Sequence, residues 1–222
     1  MNKIFEILNL TDKQLHNLFK DIVANVNYTT PSGLISDCWA KYEKLAENTS
    51  VDSSKNRNGQ FLELLIQYIL CKNDILPFYK QAKVAFVPNV NFDILLYTKE
   101  IGVIVLSIKT SLRERYKQAD LEAIALRQVH RRSKTFLLTL SSEHLSINKK
   151  IEKGDVAGLE RAINCHTDDF DSFIEELRQY NFAEAGSVEI VSGNLIGSVA
   201  SRSFLGLNSE ACKSEIAEKI KK

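Results

Sequence analysis

Two apolar runs, residues 90–97 and 102–109, face each other across a polar break around residues 99–102. Runs rich in Val, Ile and Leu, separated by a short stretch that ends in Gly, predict a β-hairpin. With the turn centred near residue 100 or 101, residues paired across it have numbers summing to about 200 to 202. Asp93 then stands opposite Ser107 or Lys109. Strand side chains alternate between faces, so Ser107 and Lys109 share one face, and even-sum pairing puts Asp93 there too. The hairpin therefore brings a carboxylate and an ammonium group together at its open end.

The chain changes character on either side of this hairpin. Upstream it reads as helical. Leu15, Leu18, Phe19, Ile22, Val23 and Val26 recur at helical spacing behind Thr11 as an N-cap. Thr30-Pro31-Ser32-Gly33 breaks the pattern, and a second helix carries Ile35, Cys38, Trp39, Tyr42 and Leu45. Residues 47–59 are polar and aperiodic, which predicts a mobile loop. A third helix, from about residue 60 to 71, presents Leu62, Leu65, Ile66 and Ile69 on one side. A short strand at 84–87 leads into the hairpin. Downstream come a helix over 113–131, an apolar strand over 135–140, and helices over 143–153 and 169–180. Residues 188–200 have strand character with a Ser-Gly-Asn turn, and Asn208 or Ser209 caps a final helix. There is no internal repeat and no linker. The expected fold is one α/β domain spanning 1–222, with a central mixed sheet flanked by helices, a helical N-terminal third (1–47) and a functional core over 60–140. The amphipathic N-terminal helix is a candidate dimer or DNA-contact surface.

The 222 residues carry a net charge of +1, which gives no general attraction to a polyanion. Its distribution says more. Between Lys109 and Lys134 eight basic residues stand against three acidic ones, a local +5, so the rest of the chain carries −4. Such a belt fits either a polyanion bound on one face or a solvated helix face. No apolar run approaches the roughly 20 residues of a membrane helix, and the N-terminus lacks the apolar core of a signal peptide. Cys38, Cys71, Cys165 and Cys212 are scattered, with no CxxC pair. These features predict a cytoplasmic protein with reduced thiols and no membrane contact.

Asp93 beside Lys109 has the chemistry of a metal-dependent phosphodiester hydrolase. A carboxylate can hold Mg²⁺, a hard ion that takes oxygen ligands and keeps several waters, and a lysine can bind the scissile phosphate. Ser107 occupies the place where a second acid is expected. Glu122 can supply it from the following helix, at the border of a stripe of Leu121, Ala125, Gln128 and Val129 expected to face the sheet. The alternative for each residue is structural: a strand-end Asp93, a snorkelling Lys109 and a surface Glu122.

The pattern Asp93…Ser107-x-Lys109…Arg113-Glu114-Arg115…Glu122 resembles the PD-(D/E)xK type II restriction endonucleases. Within them it is most similar to the EcoRII/PspGI/NgoMIV-like branch, whose members recognise CCGG, CCNGG or CCWGG sites. The close resemblance covers roughly residues 90–130. Asn stands in place of Pro two residues before Asp93, the interval from Asp93 to Lys109 is shorter, and Tyr116 stands where a tryptophan is common. The resemblance implies a restriction-endonuclease-like fold and Mg²⁺-dependent hydrolysis of double-stranded DNA at a palindromic site containing CC/GG. It implies that Asp93, Lys109 and Glu122 are catalytic, that Asp93 and Glu122 hold the metal, and that Glu63 on the upstream helix is a supporting acid. A palindromic site implies a homodimer, and a restriction enzyme implies a cognate DNA methyltransferase. Arginine can donate two hydrogen bonds to guanine, and glutamate can accept from cytosine, so Arg113, Glu114 and Arg115 become base readers. The alternative for Glu114 is an ion pair with Lys117. Lys117, Arg127, Arg131 and Arg132 are candidate backbone contacts, and Trp39 is a candidate wall for an extruded base, or else core. Two rivals remain: a PD-(D/E)xK nuclease of repair or transposition, and a catalytically silent DNA-binding module.

Overall fold

The computed structural model describes residues 2–8, 12–48, 55–87, 89–186 and 190–198. Four helices come first: α1 (Asn2–Leu8), α2 (Lys13–Ala24), α3 (Pro31–Asn48) and α4 (Lys55–Lys72). Strands β1 (Phe78–Val84), β2 (Phe92–Thr98) and β3 (Gly102–Lys109) follow. Then come α5 (Arg115–Val129), β4 (Lys134–Thr139), α6 (His144–Lys153), β5 (Arg161–Asn164), α7 (Asp168–Leu177) and β6 (Ile190–Ile196). Among the described residues the strands form one mixed sheet in the order β5-β4-β3-β2-β1-β6. β6, β1, β2 and β3 pair antiparallel, whereas β3, β4 and β5 are parallel, with α5 and α6 as the crossovers. The expected mixed sheet between helices is what forms.

Strand alternation divides the core. Ile94, Leu96, Ile104, Leu106, Ile108, Phe136 and Leu138 enter a cluster with the N-terminal helices and α7. Leu95, Val103, Val105 and Leu137 point the other way, toward α5 and α6. α4 lies deep in the first cluster. From Phe61 to Cys71 every residue is buried except Glu63, which is half-buried. A helix that is apolar nearly all round is enclosed by protein, so its single carboxylate stands out.

Several sequence expectations need correction. Asp12 caps α2, its carboxylate accepting from the Gln14 and Leu15 amides, while Thr11 lies outside the described residues. Thr30-Pro31 is a helix start, with the Gly33 amide donating to Thr30 Oγ1. Residues 55–59, expected in a loop, form the first turns of α4; residues 49–54 lie outside the described residues. The strand expected at 84–87 instead ends at Val84, where the chain turns: the Val87 amide donates to Val84 O at 3.2 Å and Phe86 adopts φ +63°. Strand β5 was not foreseen, since four residues are too few for alternation to register. Ser192-Gly193-Asn194 is not a turn but runs through β6. There Gly193 passes so close to β1 that a Cβ would sit 3.2 Å from that of Ala82. The final helix expected after Asn208 lies outside the described residues.

The buried face of α5 is Ala119, Ala123 and Leu126, and Leu121 is 67% exposed. Small residues win because the loop before β5 presses on the helix: a Cβ on Gly158 would collide with the Asp120 carbonyl oxygen. The Asp120 carboxylate accepts from the Gly158 and Leu159 amides at 2.6 and 3.3 Å. Leu15, Phe19, Ile22 and Val23, the apolar side of α2 that was expected at a dimer interface, are buried inside this chain.

Candidate active site and adjoining cleft

The hairpin register places the central pair. Ile94 pairs with Leu106, so one step further Asp93 lies opposite Ser107. Lys109, on the same face, reaches back: its Nζ donates to Asp93 Oδ2 at 2.8 Å, and the Ile108 amide donates to the same oxygen at 2.7 Å. Both side chains are about one-seventh exposed (15% and 14%), enough to meet a ligand but screened from bulk water. Ser107 Oγ is buried and makes no hydrogen bond among the described residues.

Glu63 joins them from α4. Its carboxyl is pushed up to about 7, first by burial and then by the charge of Asp93, against the opposing effects of Lys109 and a hydrogen bond from Gln81. The structure thus brings together a half-buried acid, a second carboxylate and an ammonium group from three elements. Two mutually repelling carboxylates beside one amine suit a divalent cation, which accepts oxygen donors of this kind and relieves their repulsion.

Glu122 lies half-buried on α5, on the side of the helix next to Leu126. Leu126 packs with Leu95, Val103 and Val105, so Glu122 overlooks the sheet face that carries Asp93, Ser107 and Lys109. Its carboxylate accepts from Gln118 Nε2 at 2.7 Å, one turn back on the same helix.

Beyond Lys109 the chain passes Thr110 and Ser111 and turns at Arg113, which adopts φ +30°. The Arg113 amide donates to Glu143 Oε2 at 3.2 Å. Arg113 and Arg115 line a cleft of about 630 Å³ together with Trp39, Glu43, Asn58 and His166. Trp39 is only 9% exposed, packed against the Tyr42 and Phe61 rings, and its Nε1 donates to Glu43 Oε1 at 2.8 Å. The Ser36 hydroxyl lies 2.9 Å from His166 Nδ1, and burial lowers the pKa of that imidazole.

The remaining candidates disperse. Glu114 and Lys117 form the exposed i,i+3 ion pair at 2.5 Å. The Arg127 guanidinium donates to Ala157 O, Gly158 O and Glu160 Oε1, so it clamps a loop of its own chain. Arg131 and Arg132 are exposed at the far end of α5. β3 and β4 run parallel, with Ile104 opposite Lys134 and Lys109 opposite Thr139. That far end is therefore about 16 Å along the strands from Lys109, and the basic belt is divided between two ends of the sheet.

Sequence reading missed Gln81, Glu43, Asn58 and His166, and noted Asn91 only as standing in place of a proline, not as a partner of Gln81. None of the four missed residues has a spacing that ties it to the site; each arrives through tertiary packing.

No family model matches this sequence, and no curated protein matches it. Among solved structures the chain is similar to the restriction endonuclease PspGI in complex with substrate DNA. The two share 19% identity over 81% of each chain, with a TM-score of 0.46. That overlap is too loose to carry an assignment.

Proposed function

We propose that the protein is a Mg²⁺-dependent endonuclease that hydrolyses double-stranded DNA at a chosen sequence, in the manner of a type II restriction enzyme. The observation that carries this reading is the meeting of Asp93, Lys109 and Glu63 at the mouth of the hairpin, a few residues from the arginine-lined cleft. Asp93 and Glu63 would hold the metal, with Glu122 as a further acid over the same sheet face. The bound ion supplies Lewis-acid stabilisation of the phosphate and lowers the pKa of a coordinated water. Lys109, already oriented by Asp93, binds a non-bridging phosphate oxygen and neutralises charge as it develops. The proton lost by the attacking water passes to solvent, because Glu63 would be ionised while it holds the cation.

Arg113 and Arg115 suit the guanine edge, and the cleft beside Trp39 has room for a base. Glu114 is exposed and ion-paired with Lys117, a partner it can exchange for a cytosine amine. Lys117, Arg131 and Arg132 are left as backbone contacts. A palindromic site would be read by a homodimer, with a cognate DNA methyltransferase protecting the host sequence.

Incubating plasmid DNA with the protein and Mg²⁺ tests the reading. Discrete fragments support it, a smear supports a non-specific repair or transposition nuclease, and intact DNA that is nevertheless bound supports a silent binding module. Asp93→Ala and Lys109→Ala are each expected to slow cleavage by about three orders of magnitude, equivalent to roughly 4 kcal/mol of transition-state stabilisation. Wild-type rates in either variant would remove the site assignment. Arg113→Ala is expected to abolish or relax site choice, and an unchanged fragment pattern would remove its role as a reader.

A further inference from the structure

Gln81 has an unusual backbone for a strand residue. It adopts φ +51° within β1, a conformation uncommon outside glycine. The register of β1 against β6 slips between Lys80 and Lys83, the mark of a bulge. Against β2, Lys80 pairs with Ile94 and Ala82 with Phe92, which sets Gln81 directly across from Asp93. Bulges commonly re-aim a side chain beside an active site. Here the amide is aimed at both its neighbours: Gln81 Nε2 donates to Glu63 Oε2 at 3.2 Å, and Gln81 Oε1 accepts from Asn91 Nδ2 at 2.7 Å. A primary amide has distinct donor and acceptor ends. With Asn91 fixing the acceptor end, the donor end is directed at the carboxylate.

We propose that Gln81 is a positioning residue, held by the β1 bulge and by Asn91 so that its amide sets the Glu63 carboxylate against Asp93 and Lys109. The proposal rests on the nuclease reading for its purpose, since it concerns how the acid from α4 is presented to a divalent cation. A strand residue in ordinary β geometry would follow the pleat and leave Glu63 to choose its own rotamer. The left-handed turn at Gln81 redirects the amide and couples the sheet to the helix at this point.

Gln81→Gly separates position from fold, because glycine adopts positive φ without strain while losing the amide. Mn²⁺ affinity, read by the EPR signal of the free ion, is expected to fall about tenfold, as when the partner that orients a metal ligand is removed. Glu63→Ala is expected to lose at least as much, and the double variant no more than Glu63→Ala alone, since the two residues act in series. In the metal-free protein, the Gln81 side-chain amide proton bonded to Glu63 should move upfield in Glu63→Ala. Unchanged Mn²⁺ affinity in Gln81→Gly would overturn the proposal, as would a tenfold loss repeated in the Glu63→Ala background. An unmoved amide signal would overturn it whether or not the wild-type protein holds Mn²⁺. Failure of the wild-type protein to cut plasmid DNA would instead remove the nuclease reading and leave both measurements standing.

Discussion

A glutamate on a helix enclosed by protein can be neutral, or it can be charged and matched by a cation. Glu63 lies between these states, with its carboxyl raised to about 7 by burial first and by the charge of Asp93 second. The folded protein therefore holds this proton more tightly than the unfolded chain does. Stability from this group is complete below the ordinary glutamate range and is lost as pH rises through 7. The full effect is about 3 kcal/mol at most. Urea midpoints of the metal-free protein are expected to fall between about pH 5 and 8, and Glu63→Gln, which stays neutral, should flatten that slope. A level wild-type profile across the window would mean that Glu63 is solvated. Residue-scale legibility was uneven. Asp93 and Lys109 were readable because a hairpin turns sequence separation into distance. Gln81 was not, because a bulge breaks the alternation on which such arithmetic depends.

At the scale of elements, periodicity located helices and strands by their apolar content but misjudged which side of α5 faces the sheet. Leu121 and Val129 looked like core because they are large. The helix is in fact held close by Ala119, Ala123 and the loop at Gly158, so the small residues are the buried ones. The same close approach explains Arg127, whose three acceptors all belong to residues 157–160. A guanidinium used in this way holds β5's approach to α5 rather than a phosphate. Arg127→Ala is accordingly expected to destabilise the protein by about 1–2 kcal/mol. The dependence of DNA affinity on salt should stay unchanged, because no phosphate contact is removed. Denaturant melts and binding at several salt concentrations check both. A shallower salt slope in the variant would return Arg127 to the DNA-contacting set.

For the whole molecule, the proposed reading requires a sheet with such a site to cut two strands. The apolar side of α2 is buried within the chain, so that side is not available to the two-fold partner proposed above. A dimer still makes a definite kinetic demand. With one active site per strand, both cuts fall within one binding event, and supercoiled plasmid passes directly to linear product. A monomer must release and rebind, so nicked circles accumulate first. Mixing wild-type protein with excess Lys109→Ala protein makes the distinction sharp, because a mixed dimer cuts one strand only. The expected outcome is linear product from wild-type protein alone and nicked circles from the mixture. If the mixture merely slows linear product without building up nicked circles, subunits are not sharing a site, and the homodimer is removed from the proposal. The sequence could not anticipate this arrangement beyond the symmetry of a palindrome, since dimer geometry depends on surface shape, which residue spacing does not encode.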